Sequence, residues 1–213
     1  PMKPGRADDS HRIAARKEKA LQRTVRRERA LLCAGYLRGE LEDGEEPLQE
    51  LEQLVDTAGA SVVGRLHQNI HFITGKTYIG KGKAFEIKDL VESTEADVVV
   101  FDNDLSPSQS VALEEIIQTR IIDRSELILD IFASRAVTHL AKMQVSLAML
   151  EYRLPRLKRL WSHLERQKGG MGLRSGPGEK QIESDRRVIR DHIVDYRKRI
   201  AEATTQRERL TQS

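Results

Sequence analysis

A stretch rich in glycine and lysine, TGKTYIGKGKAF at residues 74–85, contains residue types that can hold a nucleotide phosphate. Gly75, Gly80 and Lys81 match the first part of the phosphate-binding pattern G-x-x-x-x-G-K-[ST]. The last position of that pattern supplies a hydroxyl oxygen to Mg²⁺, but Gly82 stands there and has no oxygen to offer. The stretch is therefore either a nucleotide site without its metal ligand or a basic glycine loop with another role, and we favour the second interpretation.

A second glycine-rich stretch, at residues 168–180, combines a permissive backbone with positive charge. It holds five glycines, and residues 153–187 around it carry 10 basic and 4 acidic side chains. A turn between two helices needs only about 2 to 8 residues. Exposed backbone N–H groups and basic side chains both suit a phosphate backbone, so we predict contact with RNA or DNA. A solvated coiled-coil face is the alternative. The predicted contact residues are Arg153, Arg156, Lys158, Arg159, Lys168, Gly169, Gly170, Gly172, Arg174, Gly176, Gly178, Lys180, Arg186 and Arg187.

Three carboxylates are candidate metal ligands, because the ends of parallel strands gather such residues. They are Asp102, Asp104 and Asp123. Asp and Asn before a Ser-Pro pair are equally typical of a strand-to-helix loop, and we predict turn and capping roles for them. His67 and His71 lie in a stretch typical of a strand, so they do not share a helix face. We predict no metal site and no catalytic residue.

The segments around these candidates predict an α/β domain over residues 29–130. Apolar and β-branched runs typical of strands occupy residues 29–37, 60–66, 96–102 and 120–123. Helical spacing of apolar residues follows Pro47, Ala84 and Ser106. This alternation predicts a small, mostly parallel sheet flanked by helices. Cys33 falls inside the first strand, where we expect a buried residue rather than a reactive thiol.

From about residue 125 the apolar spacing becomes that of a coiled coil. One series runs through Met143, Leu147, Leu150, Leu154, Leu157, Trp161 and Leu164, and a second through Ile182, Ile189, Ile193, Tyr196, Ile200, Ala203 and Leu210. We predict a long antiparallel two-helix hairpin over residues 131–213, with residues 168–180 as its tip loop. At about 1.5 Å per residue, Leu140–Gln167 would carry that loop roughly 40 Å from the base of the hairpin. Pro155 should bend the first helix.

Positive charge is concentrated at the two ends of the chain. The net charge is +3, but residues 1–35 carry +6, residues 36–134 carry −12 and residues 135–213 carry +9. We therefore predict that the ends, including a basic N-terminal arm at residues 1–28, meet a polyanion, or else that they meet the acidic middle. A lone cysteine and the lack of a membrane-spanning apolar run lead us to expect a cytoplasmic protein, and we expect a monomer.

Over roughly residues 30–200 the sequence resembles the HflX-type ribosome-associated GTPases. The resemblance rests on YIGKGKAFEI, VVFDNDLSPSQ, IIDRSELILDIFASRA, THLAKMQVSLAMLEYRLPRL and WSHLERQKGGMGLRSGPGEKQIESDRR. It implies an α/β N-terminal domain, a long helical hairpin, and then a G domain that binds GTP and Mg²⁺. It also implies that IGKGK leads into a helix, so that its glycines serve a strand-to-helix turn.

The activity that the resemblance implies is GTP-dependent binding to the large ribosomal subunit and its rRNA. The hairpin loop would be directed at the peptidyl-transferase centre, and the protein would split or rescue stalled ribosomes. This chain contains no complete G-x-x-x-x-G-K-[ST] and no N-K-x-D motif, so we expect the G domain, with its GTP and Mg²⁺, to lie outside it, and no enzyme activity from the chain alone. Two alternatives stay open: a nucleotide-dependent RNA remodeller acting through the α/β domain, and a coiled-coil adaptor that binds only proteins.

Overall fold

The computed structural model describes Val25 and residues 27–41, 46–157 and 179–211. These residues form a four-stranded sheet with helices on both faces, followed by two helices that pack against each other. Across the described ranges, no helix is both long enough and apolar enough to cross a membrane.

The sheet consists of β1 (Arg29–Leu37), β2 (Ser61–Ile70), β3 (Val98–Phe101) and β4 (Arg120–Asp123). All neighbouring strands are parallel, in the order β2-β1-β3-β4, which confirms the predicted parallel sheet. β2 extends to Ile70, beyond the predicted end at residue 66. The extension alternates exposed residues such as His67 with less exposed ones, because an edge strand can leave one set of side chains in solvent.

Four helices cover the two faces of the sheet: α1 (Gln49–Ala58), α2 (Lys81–Thr94), α3 (Pro107–Ile117) and α4 (Arg124–Arg135). α3 begins with a capping box, in which Ser106 Oγ accepts from the backbone N–H of Gln109 and the Gln109 side chain accepts from the backbone N–H of Ser106. α1 ends at Gly59, whose φ of 81° is readily adopted only by glycine.

Two apolar clusters fill the two faces of the sheet, and the alternation of side chains along β1 assigns residues to each. Leu31 and Cys33 belong to the cluster under α2 and α3, whereas Ala30 and Leu32 belong to the cluster under α1 and α4. Burial raises the pKa of the Cys33 thiol well above its ordinary value. Cys33 is therefore a core residue, as the sequence predicts.

The helical part comprises α5 (His139–Arg153) and α6 (Glu179–Thr211), and a 3-10 turn at Leu154–Arg156 follows α5 directly. Pro155 lies in that turn, because its ring removes the backbone N–H that would continue the α-helix. A seam of apolar side chains joins α5 to α6. Its members are Leu150, Leu157, Ile189 and Ile193, which are buried, and Leu147, Leu154 and Tyr196, which pack around them.

This seam consists of residues from the two predicted heptad series, so the packing of α5 on α6 is confirmed. Residues 158–178 lie outside the described ranges, and the long antiparallel hairpin as a whole stays a prediction. The predicted boundary between residues 130 and 131 falls inside α4, whose Leu127 and Ile131 both belong to the core of the sheet.

Candidate functional site

The junction between α4 and α5 contains a buried arginine that faces two carboxylates. Arg153, in the last turn of α5, places Nη2 3.1 Å from Glu126 Oε1 and 3.3 Å from Asp130 Oδ1. All three side chains are almost completely buried. Glu126 and Asp130 are four residues apart in α4, so they project from the same side of that helix. One arginine of α5 therefore bridges two carboxylates of α4.

A second buried arginine, on the sheet, pairs with a third carboxylate close to this group. Arg120, at the start of β4, has Nη1 2.9 Å from Glu28 Oε2, and both side chains are buried. Burial lowers the pKa of Arg120, and the charges of Glu126, Glu28 and Asp130 oppose that effect. Glu28, Glu126 and Asp130 thus surround Arg120 and Arg153 in one charged cluster between the sheet, α4 and α5.

Asp123, at the end of β4, organises the neighbouring part of the junction. Its Oδ1 accepts from the backbone N–H of Glu126 at 2.9 Å and caps α4, while its Oδ2 accepts from the hydroxyl of Tyr152. Arg156 Nη2 lies 3.6 Å from Asp123 Oδ2 and donates to the carbonyl oxygen of Leu105 at 2.7 Å. The Arg156 guanidinium also lies 3.8 Å from the centre of the Tyr152 ring.

Burial dominates the acid–base properties of these groups. It raises the pKa of Asp130 to about 6, and Arg153 and Arg120 oppose the rise. It also raises the pKa of Asp123, against the effect of the hydrogen bond from Tyr152. The pKa of Tyr152 is raised by its own burial and then by the charge of Asp123. Tyr152 is therefore the donor of the hydrogen bond to Asp123.

The structure places Arg153 and Arg156, two of the predicted RNA contacts, in these buried contacts. Both side chains are buried, and their guanidinium groups contact carboxylates and a carbonyl oxygen of the α/β domain. In the sequence, Arg153 and Arg156 cannot be told apart from the other basic residues of this run. The feature that could have indicated a buried partner for Arg153 is the pair of carboxylates Glu126 and Asp130. Those carboxylates alternate with the core residues Leu127 and Ile131 and therefore require buried partners.

The other predicted RNA contacts are only partly visible. Arg187 is exposed on α6, and Arg186 is partly buried with Nη1 3.9 Å from Glu183 Oε2. The described ranges end before Lys158 and resume after Gly178, so the remaining predicted residues lie outside them, apart from Lys180, which is described only as part of the α6 backbone.

The crevice between β1 and β3, where the strand order reverses, is the usual ligand site of an open parallel sheet. Here the Asn103 side chain, which follows β3, binds the backbone of β1 at Gly35. Asn103 Oδ1 accepts from the backbone N–H of Gly35 at 2.8 Å, and Nδ2 donates to the Gly35 carbonyl oxygen at 2.9 Å. The neighbouring Asp102 accepts from Arg124 at 2.8 Å, and Asp104 accepts from the Ser125 hydroxyl at 2.7 Å. Asp102 and Asp104 therefore bind the start of α4, and the predicted capping role is seen at Asp123.

Among the described residues, no group of three or more His, Cys, Asp or Glu side chains is arranged to hold a metal ion. The IGKGK segment leads into α2, with Gly80 as the residue before the helix and Lys81 as its first residue. This observation agrees with a loop-to-helix turn at the P-loop-like stretch. The buried ion pairs at the junction are suited to fixing the position of α5.

The parallel sheet is joined to α5 through buried ion pairs, and α5 packs on α6, so the chain is an α/β domain followed by a helical pair. Two family models match this division. The one described as "GTP-binding GTPase N-terminal" matches residues 45–133, and the one described as "GTP-binding GTPase Middle Region" matches residues 135–213. The division between them falls at the end of α4.

Relatives and solved structures agree with this class. GTPase HflX of Escherichia coli (strain K12) is 49% identical over 168 residues, which cover 79% of this chain and 39% of the relative. GTPase HflX of Flavobacterium psychrophilum is 50% identical over 155 residues, which cover 73% of this chain and 37% of the relative. The chain belongs to the HflX-type GTPase family, of which it contains the N-terminal region.

The fold is also similar to that of a GTP-binding protein from the hyperthermophilic archaeon Sulfolobus solfataricus in complex with GDP. The TM-score is 0.56 at 20% identity, covering 83% of this chain and 46% of that chain. A crystal structure of an SsGBP and GDP complex gives a TM-score of 0.61, also at 20% identity, covering 85% and 46%. At this identity the likeness shows the fold alone.

Proposed function

We propose that this chain is the part of an HflX-type GTPase that binds rRNA of the large ribosomal subunit. The observation that carries the proposal is the basic, glycine-rich sequence at residues 168–180, which joins two helices packed through an apolar seam. Without the buried Arg153 and Arg156, residues 158–187 still carry 8 basic and 4 acidic side chains. Such a charge excess in a glycine-rich stretch suits phosphate oxygens, because basic side chains pair with phosphates and glycine permits close approach of the backbone.

A proposal for the whole protein, which is longer than this chain, follows from the first. The chain spans 39% and 37% of the length of the two HflX relatives described above. We propose that GTP and Mg²⁺ bind a G domain outside these residues, and that the whole protein, acting as a monomer in the cytoplasm, splits or rescues stalled ribosomes. The tip loop of the helical hairpin would then approach the peptidyl-transferase centre.

Binding to purified large subunits at two salt concentrations tests the role of the tip loop. Arg174→Ala or Lys180→Ala should weaken binding and lower the salt slope by roughly one unit, because each removes a phosphate partner. Gly178→Val should weaken binding without changing the slope, because a Cβ hinders close approach of the backbone. Arg199→Ala is the matched control, since Arg199 lies on α6 and pairs with Asp195 at 3.6 Å.

Arg199→Ala should bind as the unchanged chain does, and thermal melts should stay alike, since the seam is untouched. Equal binding by the tip variants and the unchanged chain would transfer the RNA contact to the N-terminal arm or to residues 158–159. Binding with no salt dependence at all would favour the protein adaptor. The RNA remodeller requires a nucleotide in the α/β domain, so saturable binding of ATP or GTP by the 213-residue chain would favour it.

A further inference from the structure

Two of the four phenylalanines of the chain are exposed to solvent and lie within one short segment. Phe72 is 74% exposed and Phe85 is 54% exposed, and Ile73 between them is 45% exposed. Phe101, in contrast, is completely buried in the sheet core. Single exposed apolar residues need no explanation, but three in a segment of fifteen residues, at 71–85, mark a candidate interaction surface.

The same segment is unusual in its charge. Residues 57–85 contain no Asp or Glu, although residues 36–134 as a whole carry a net charge of −12. Arg65 pairs with Glu46 at 3.3 Å, and Lys83 pairs with Glu86 at 2.7 Å. Lys76 and Lys81 are exposed, and neither has a carboxylate partner in the part of the chain that the structure describes. Two unpaired lysines therefore accompany the two exposed rings.

The loop that carries Phe72 and Lys76 is held firmly at its base. Thr74 and Tyr78 exchange backbone hydrogen bonds of 2.9 and 2.8 Å, and the Gln109 side chain of α3 donates to the Thr74 carbonyl oxygen at 3.1 Å. Tyr78 and the residue after it are buried in the core cluster under α2 and α3. The exposed side chains are thus displayed by a preorganised backbone, so that binding would require little further ordering.

We propose that the surface formed by residues 71–85 binds unpaired RNA, with Phe72 and Phe85 stacking on bases and Lys76 and Lys81 contacting phosphates. Single-stranded nucleic acids are bound by this combination, because every base has an aromatic face and the backbone is negative throughout. A protein partner fits the segment less well, because lysines are depleted from protein interfaces. Bases within a duplex are stacked on each other, so the ligand must be unpaired.

This second RNA surface lies on the α/β domain and does not depend on the tip loop. It gives a role to the lysines of TGKTYIGKGKAF, where Gly82 replaces the hydroxyl residue of a complete P-loop pattern. The contact would place RNA on the side of the sheet that is covered by α2 and α3, because Phe85 lies on α2 and the loop is tied to α3.

Fluorescence anisotropy of the 213-residue chain with a labelled single-stranded RNA of about 12 nucleotides tests this inference. We expect Phe72→Ala with Phe85→Ala to weaken binding about tenfold or more without changing the salt slope. Phe72→Leu with Phe85→Leu keeps apolar bulk but loses the aromatic face, and should weaken binding similarly. Lys76→Ala with Lys81→Ala should lower the salt slope by about 0.7 for each lost phosphate contact.

Phe132→Ala is the matched aromatic control, because Phe132 is 56% exposed but lies on α4, on the opposite face of the sheet. Lys142→Ala on α5 is the matched lysine control. Both should leave the affinity unchanged, and an RNA duplex of the same length should not respond to the phenylalanine variants. Repeating the titrations in a chain with Arg174→Ala and Lys180→Ala removes the contribution of the tip loop.

A phenylalanine effect that persists in that background supports the second surface even if the tip proposal fails. Unchanged affinity in both the alanine and the leucine variants would overturn it and point to a protein segment as the occupant. An equal loss in Phe132→Ala would also overturn it, because the contact would then be non-specific. The variant side chains are exposed, so their melting temperatures should match that of the unchanged chain.

Discussion

Leu31, Val99 and Ile121 are neighbours on adjacent strands, and together they belong to an apolar core cluster. The junction between α4 and α5 is just as well buried, but its side chains are arginines and carboxylates. The hydrophobic effect depends on the apolar area buried and has no preferred direction, so the core stabilises the sheet without requiring a particular orientation of each side chain. Buried ion pairs depend strongly on geometry and are costly when one partner is missing.

Both kinds of contact hold α5 in place. The side of α5 that faces α6 supplies the apolar seam, while Arg153 and Tyr152 tie the same helix to α4 and to the end of β4. A helix held by both kinds of contact has a defined position relative to the sheet. The helical pair is therefore oriented by the junction, and the seam keeps its two helices together.

The largest loss of stability should come from removing one partner of the buried ion pairs between α4 and α5. Arg153→Ala removes the guanidinium between Glu126 and Asp130, so two buried carboxylates lose their partner and the free energy of unfolding should fall by about 3–5 kcal/mol. Urea unfolding of the whole chain measures this change. Combining Arg153→Met with Glu126→Gln and Asp130→Asn should recover much of the loss, because no unpaired charge remains.

Arg197→Ala is the exposed control for that experiment. Arg197 Nη2 lies 2.6 Å from Glu151 Oε1 between α6 and α5, and both side chains are largely in solvent. Its loss should cost only about 0.2–1 kcal/mol, since solvent screens the pair. A cost for Arg153→Ala as small as that of Arg197→Ala would mean that the junction does not depend on its buried charges.

The apolar seam should respond through cavity formation instead. Leu157 is buried, so Leu157→Ala should lower the free energy of unfolding by about 2–5 kcal/mol, which is also the range expected for Leu31→Ala in the sheet core. Leu154→Ala should cost less, because that side chain is only partly buried. Changes within roughly half a kcal/mol for Leu157→Ala would refute the packing of α5 on α6.

The smallest effect is a pH dependence that only the junction should show. The pKa of Asp130 is about 6 in the folded chain, above the roughly 3.9 expected when unfolded, so the folded state binds more protons between these values. Stability contributed by Asp130 should therefore rise as the pH falls from 7 to 5, by about 1 kcal/mol.

The measurement is the free energy of unfolding at pH 5 and pH 7 for the unchanged chain, Asp130→Asn and Leu31→Ala. Asp130→Asn should lose this component, whereas Leu31→Ala should keep it, because that substitution leaves Asp130 and its partners in place. The free energy of unfolding of the unchanged chain minus that of Asp130→Asn should therefore increase from pH 7 to pH 5. A decrease would contradict the raised pKa of Asp130.

Much of the fold follows from local sequence patterns. Runs such as Val98–Phe101 predict parallel strands covered on both faces, and Ser106 followed by Pro107 predicts the start of α3. The heptad residues that form the seam are also predictable, since a helix brings every third and fourth residue to one face. The RNA-binding role of the tip loop and of the N-terminal arm stays a prediction.

The sequence by itself therefore determined the parallel sheet, its core strands, the seam between α5 and α6, and the buried state of Cys33. Only the tertiary structure decided that Arg153 and Arg156 are buried, and that Asn103 binds the backbone of Gly35. The periods that define strands and helices are properties of a short stretch of backbone. The partner of a polar side chain depends on which distant residues the fold brings together, and Asn103 and Gly35 are 68 positions apart.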